Sequence, residues 1–387
     1  MIIPPASRLS QVEEYYFSRK LQEVRRLISE GRDIINIGIG NPDMFPSQET
    51  VQTLSEQAFL EGNHGYQPYR GIPDLRKAMA DWYQRTYGVT VDSTVQLLPL
   101  IGSKEGIFHI SMAFLNPGDR VLTPNPGYLA YPAAARIVGA EPVFYDLTEK
   151  SNWLPNLDAL QNNDLSRVKI MWINYPHMPT GAVANIAAFQ QLVAFARRHH
   201  ILICHDNPYS LILNPNPLSI FNADGAFDCC LELNSLSKSH NMAGWRIGMA
   251  IGNRDYIDAI LKVKSNLDSG MFLPLQKAAV SALQNSAEWH QQQNQQYSQR
   301  KKIVCKLLDS LNCSYQKETA GMFVWAKAPD HIDDVEVFLD ELLYEAGIFI
   351  APGKIFGSNG ERFIRVSLCA PEERLQQAVE RIRKWKS

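Results

Sequence analysis

The sequence predicts an α/β fold: a large, mostly parallel sheet with helices on both faces, followed by a smaller α+β unit. Three observations carry this expectation. From residue 95 onward, short apolar runs alternate with stretches of helical periodicity, the pattern of strands joined by crossover helices. After about residue 312 that rhythm gives way to strands and helices in a different order. A chain of 387 residues, with 45% hydrophobic and 20% charged side chains, is also long enough and apolar enough to bury a core of that size.

Taken along the chain, a helix opened by Pro73 carries Leu75, Met79 and Trp82 on one face, with proline in the first turn where its missing N–H is harmless. Residues 95–101 read as a strand and 103–115 as the helix after it. A strand at 120–123, a helix near 129–138 and a strand at 142–145 follow. The strand 168–173 precedes a helix at 186–199, where Leu192, Phe195 and Ala196 stand at helical spacing. Strands at 201–204, 229–233 and 247–251 come next. A long helix over about 286–311 places the run Gln291-Gln292-Gln293-Asn294-Gln295-Gln296 on a solvated face. Beyond it, strands at 322–326, 348–350 and 363–368 mix with helices at 333–346 and 371–385. The expected division is a large unit, 46–280, and a small one built from both chain ends, 1–45 with 281–387.

Charge excludes some functions. The 38 Lys and Arg against 40 Asp and Glu leave a net charge of −2, so no broad basic field exists for nucleic acid or an anionic membrane. The start, Met1-Ile2-Ile3-Pro4-Pro5, lacks the basic and apolar regions of a signal peptide. The longest stretch without a charged residue, 170–196, contains Asn174, Pro176, Pro179 and Gly181 and is no membrane span. Six cysteines without a CxxC spacing read as reduced thiols, and the expected compartment is the cytoplasm.

In open α/β sheets ligands bind beyond the carboxyl ends of the strands, and those positions are rich in chemistry. Gly102-Ser103-Lys104-Glu105-Gly106 opens a helix after a strand, a candidate phosphate cradle of free N–H groups; a plain N-cap at Ser103 is the competing reading. Pro124-Asn125-Pro126-Gly127-Tyr128 makes a rigid turn that can hold Tyr128 over a planar ligand, or simply pack it. The strand at 201–204 runs into His205-Asp206-Asn207-Pro208-Tyr209, where a carboxylate at an apolar exit needs a cation, donors or an N-cap role. Cys204-His205 has no second ligand pair nearby, so no metal is expected. Finally, Asn234-Ser235-Leu236-Ser237-Lys238 is followed eight positions later by Arg246. Partial burial and a neighbouring cation would lower the pKa of Lys238 and leave a nucleophilic amine able to form a Schiff base.

Together these motifs resemble the class I/II aminotransferases, the fold-type-I enzymes that use pyridoxal 5′-phosphate. The resemblance runs from about residue 35 to 380. It rests on Ser235-Leu236-Ser237-Lys238 with Gly244-Trp245-Arg246, on Asp206 and Tyr209, on Pro176-His177-Met178-Pro179-Thr180-Gly181, and on Tyr66, Gly71, Leu75 and Arg76. It implies that Lys238 binds the cofactor and shuttles a proton, and that Asp206 pairs with the pyridinium nitrogen. Tyr209 would bond the ring hydroxyl and Tyr128 would stack on the ring. Gly102, Ser103, Lys104, Ser235 and Arg246 would hold the phosphate, joined by Tyr66 from a second subunit, which makes the expected unit a homodimer. Arg365 and Gly40 would grip the substrate α-carboxylate. Within the family the chain looks most like the LL-diaminopimelate and aspartate-type members, and Tyr15 would then line the substrate pocket.

One position departs from the family. Met178 stands where the usual motif has asparagine, and a thioether cannot donate to the ring hydroxyl. The expectation is a raised pKa for the Schiff base, unless Asn174 or Tyr209 supplies the missing donor. The function expected is amino-group transfer between an L-amino acid and a 2-oxo acid such as 2-oxoglutarate. The alternative is a carbon–sulfur β-lyase on the same cofactor. A non-catalytic sensor module is a third reading, weakened by the presence of both Lys238 and Asp206.

Overall fold

The structure is a computed structural model that describes residues 3–12 and 16–386. Helix α1 (Tyr16–Ser29) leads to the short strand β1 (Ile35–Asn36). Helix α2 (Gln48–Ala58) is capped by Ser47, whose hydroxyl accepts from the Thr50 amide. Helix α3 (Pro73–Tyr87) begins on its proline and ends on Gly88 at φ 68°, a left-handed stop that glycine adopts without strain. The alternating part then reads β2 (Leu97–Leu100), α4 (Ser103–Phe114), β3 (Arg120–Asn125), α5 (Ala130–Ile137), β4 (Glu141–Asp146) and α6 (Leu157–Gln161). It continues with β5 (Val168–Asn174), α7 (Ile186–His199), β6 (Leu202–Asp206), β7 (Cys230–Ser235), α8 (Leu236–Ser239) and β8 (Gly248–Gly252). Helices α9 (Arg254–Lys264), α10 (Leu273–Leu283) and α11 (Ala287–Ser310) lead out of it. The remainder holds β9 (Ser314–Tyr315), β10 (Phe323–Lys327), α12 (Val335–Glu341), β11 (Ile348–Phe349), β12 (Ala351–Pro352), β13 (Phe363–Ser367) and α13 (Glu372–Lys386).

Seven strands form the large sheet in the order β2-β8-β7-β6-β5-β3-β4, all parallel except β8, which runs against both neighbours. Successive strand residues alternate between two apolar layers: Ile170, Trp172, Cys204 and Leu231 face one, Met171, Ile173, Ile203 and Cys230 the other. Burial on both faces is why these strands read as continuous apolar runs. A second, antiparallel sheet has the order β12-β13-β10-β9, and β1 pairs in parallel with β11, so the N-terminal segment joins the C-terminal part.

Two expectations change in detail. The helix expected over 333–346 is α-helical only to Glu341 and widens into a π turn over Leu342–Ala346, ended by Gly347 at φ 67°. The strand expected at 348–350 divides, because the chain there passes from β1's partner strand to the edge of the antiparallel sheet. Among the described residues no helix is long and apolar enough to cross a membrane.

Register brings the chemistry together. Asn174 lies opposite Asp206 on β5 and β6, while Ser235 and Leu100 both lie opposite Gly248. The carboxyl ends of β2, β5, β6 and β7 therefore open on one side of the sheet.

Candidate active site

A cavity of 440 Å³ sits over those strand ends and is closed by α1, β10 and β13. It is lined by Gly40, Ser103, Lys104, Tyr128, Asp206, Tyr209, Ser235, Lys238, Arg246 and Arg365, ten positions singled out from sequence. Gly102 stands behind them as the cap of α4. Tyr66 lies elsewhere, 94% exposed on the surface. Tyr15 lies outside the described residues.

The anion-binding end is built from small residues. Gly102 has φ 81° and ψ 159°, a conformation that side chains other than glycine essentially never adopt. A Cβ there would come within 2.2 Å of Arg246 Nη2. Arg246 Nη1 donates to Ala243 O at 2.8 Å and to Ser237 Oγ at 3.3 Å, which turns the guanidinium toward the start of α4. Ser235 caps α8 by accepting from Ser237 N at 3.1 Å. The result is a cradle of backbone N–H groups, hydroxyls and one guanidinium. Gly102→Ala is expected to displace Arg246, weaken phosphate-ester binding about tenfold or more, and cost about 1–3 kcal/mol of stability. Titration of the chain with pyridoxal 5′-phosphate, beside a melting curve, measures both.

Lys238 Nζ donates to Gly40 O at 2.6 Å. Burial holds its pKa down, Arg365 and Arg246 add to that, and Cys369 opposes it. Asp206 is buried, and Oδ2 accepts from Tyr131 at 3.0 Å while Oδ1 has no partner among the described residues. Burial pushes its carboxyl up to about 6, against the pull of the Tyr131 hydrogen bond. Asn174 Nδ2 donates to Asp206 O at 2.5 Å and its Oδ1 accepts from Met178 N at 2.7 Å. That amide ties the end of β6 to the turn that carries Met178, and Asn174 and Tyr209 both line the cavity.

Arg365 projects from β13, opposite Trp325. Nη2 donates to Gly38 O at 2.7 Å, and Nη1 meets Met178 Sδ at 3.4 Å. The guanidinium carbon lies 4.0 Å from the Phe323 ring centre, 4.6 Å from Phe356 and 5.3 Å from Phe17. Aromatic faces hold the planar fork without competing for its donors, which suits a carboxylate ligand.

Two buried clusters near the site have structural tasks. His205 faces the opposite layer from Asp206. Its Nδ1 bonds Glu232 at 2.7 Å, and Glu232 also accepts from Tyr83, Ser219 and Ile220 N. Glu105, His109 and Asp268 converge within 4.8 Å of one another, but Lys264 Nζ already reaches Asp268 at 2.6 Å and Glu105 at 3.3 Å as their cation. Sequence reasoning did not place Tyr131, Ser237, Phe17, Phe323 or Phe356 at the site. Ser237 could have been found beside Ser235; the aromatic residues depend on strand pairing and helix packing that spacing does not reveal.

A seven-stranded sheet with a buried carboxylate, an amine of lowered pKa and an anion cradle at its carboxyl edge defines a group-transfer enzyme on an anionic cofactor. Residues 32–382 match the family model for aminotransferase class I and II, and the chain belongs to that family. It is 40% identical over 383 residues to the LL-diaminopimelate aminotransferase of Dehalococcoides mccartyi, covering 98% of both chains. With that of Aquifex aeolicus it shares 39% over 383 residues, covering 98% of this chain and 99% of the other. Among solved structures, substrate-bound BacF from Bacillus subtilis superposes with a TM-score of 0.94 at 35% identity, covering 100% of this chain and 98% of the other. The protein is an aminotransferase that depends on pyridoxal 5′-phosphate and moves an amino group between an L-amino acid and a 2-oxo acid. These likenesses give the β-lyase alternative no support. The residues present suit the cofactor: an unpartnered buried carboxylate oxygen, an anion cradle that a Cβ would fill, and a lysine amine between them.

Proposed function

We propose that this chain is an aminotransferase of the LL-diaminopimelate type that uses 2-oxoglutarate as amino acceptor. The observation that carries this is the 40% identity to a protein of that name across nearly the whole of both chains. Pyridoxal 5′-phosphate, when bound, supplies an electron sink for the substrate carbanion. Lys238 Nζ anchors the cofactor, then takes and returns the substrate α-proton, a task that its lowered pKa favours. Asp206 would hold a proton on the ring nitrogen, Tyr209 would bond the ring hydroxyl, and Tyr128 would cover the ring. Gly102, Ser103, Lys104, Ser235 and Arg246 hold the phosphate. Arg365, with the Gly40 backbone, binds the α-carboxylate.

In this reading the working unit is a homodimer, and the partner subunit's Tyr66 completes the phosphate site. Tyr66 is 94% exposed, which leaves it within reach of a second subunit and supports this reading. The division into a large unit of 46–280 and a small unit of 1–45 with 281–387 belongs to the same reading and is supported by the β1–β11 pairing. The six cysteine thiols suit the reducing cytoplasm.

The test is a panel of amino donors with 2-oxoglutarate and the cofactor-loaded chain. Glutamate should form from LL-diaminopimelate with kcat/KM at least about tenfold above that for aspartate or aromatic donors. Faster turnover of those donors would overturn the substrate assignment. Pyruvate and ammonia released from cystathionine without any acceptor would restore the lyase.

A further inference from the structure

The two oxygens of Asp206 have different surroundings. Oδ2 accepts from the Tyr131 hydroxyl at 3.0 Å; Oδ1 is buried and has no partner among the described residues, and Asp206 lines the cavity. Tyr131 is itself held firmly. It follows Tyr128 by three residues at the start of α5, is fully buried, and stacks on Trp172 with ring centres 4.9 Å apart and planes 4° from parallel. Tyr128 meets it edge-on at 5.5 Å. Trp172 rises from β5 into the same apolar layer as Tyr131, so the phenol cannot swing away without unstacking. On the backbone side, the 2.5 Å bond from Asn174 fixes the end of β6.

We infer that Tyr131 is a positioning residue that holds Oδ2 of Asp206, leaving Oδ1 for the cofactor's ring nitrogen and keeping the carboxylate charged to receive it. The inference rests on the role given to Asp206 above. A hydroxyl that donates to a carboxylate stabilises its ionised form more than its protonated one, by about ten- to a hundredfold in that equilibrium. The other titratable and charged groups facing Asp206 do not do this. His205 on β6 and Glu232 on β7 are bonded to each other at 2.7 Å and act on it in opposite senses. Tyr128 and Tyr209 line the cavity, and so do Lys238 and Arg365, which donate to Gly40 O and Gly38 O. Among the described residues, Tyr131 alone makes a side-chain hydrogen bond to this carboxylate.

The test is the affinity of the full chain for pyridoxal 5′-phosphate across pH, read by fluorescence. Binding should weaken about tenfold per pH unit below the pKa of Asp206, where a proton must first leave. Tyr131→Phe keeps the stacked ring and loses the hydroxyl. It should bind like the wild type near pH 9 and about tenfold more weakly near pH 5, because its acid limb lies about one unit higher. A Tyr131→Phe profile parallel to the wild type at every pH would mean a merely structural role and overturn the inference. Should that variant not fold, 3-fluorotyrosine at position 131, a stronger donor, should move the limb the opposite way, and an unmoved limb would overturn the inference. Asp206→Asn separates the two levels. If it binds as tightly as the wild type and keeps the acid limb, the reading of Asp206 itself is wrong. If it abolishes the limb while Tyr131→Phe leaves it in place, only the role of Tyr131 fails.

Discussion

Lys238→Ala is expected to lose about three to four orders of magnitude in turnover while the chain stays folded. Two contributions disappear together. In the proposed mechanism the amine that anchors the cofactor is then gone, and so is the base that moves the α-proton, a role that general acid–base catalysis values at about 10²–10⁴-fold. Stability should not suffer, because the ammonium lost is one that burial already disfavours. Its hydrogen bond to Gly40 O at 2.6 Å is the chief structural contact given up. Borohydride treatment followed by intact mass provides the check: the wild type should gain the mass of the reduced cofactor, and Lys238→Ala should not. Lys238→Arg separates charge from amine chemistry. It keeps a cation beside Gly40 but has no accessible neutral form, so it should be as inactive as the alanine variant. Turnover within tenfold of wild type in either variant would show that another group does this work.

The residues hardest to place without chemistry were the easiest to read. An apolar strand that runs into a carboxylate, as β6 does at Asp206, sets an energetic problem visible in one dimension. The same holds for Lys238, four residues beyond the buried Asn234. The strands themselves were legible because burial on both faces leaves unbroken apolar runs. What was not legible comes from pairing. Asn174 faces Asp206 only because β5 and β6 align at that register, and Phe323 reaches Arg365 through the β10–β13 pair. Spacing along the chain carries neither fact. Met178 shows both sides of this. Its lack of a donor is evident from the sequence, yet the structure sets its sulfur against Arg365 Nη1, a contact that spacing along the chain does not show. Tyr131, the second residue of α5, gives no such signal, because a buried tyrosine at a helix start needs nothing beyond packing to account for it. Its partner, Asp206, is 75 residues away.

Asp206→Asn should leave the cofactor-free chain more stable at pH 8 and the enzyme about a thousandfold slower. The stability argument follows from the carboxyl pKa, pushed up by burial to about 6 from 3.8. The folded state then holds this proton more tightly than the unfolded one. Stability from this group is full below about pH 4, falls as pH rises through 6, and levels off about 3 kcal/mol lower. Asparagine removes that cost and can still accept from Tyr131, although its new N–H donors need partners, so the gain is at most about 3 kcal/mol. Melting curves of the stripped chains should therefore separate at pH 8, with the variant higher, and converge near pH 4. Loading the cofactor should reverse the order, because in the proposed arrangement Asp206 would face a protonated ring nitrogen, a charge pairing that asparagine cannot supply. The rate loss has the same origin: without a carboxylate to hold that proton, the ring accepts electrons less readily. Equal melting of the two stripped chains at pH 8 would mean that Asp206 carries no uncompensated charge, and turnover within tenfold of wild type would remove it from the ring nitrogen altogether.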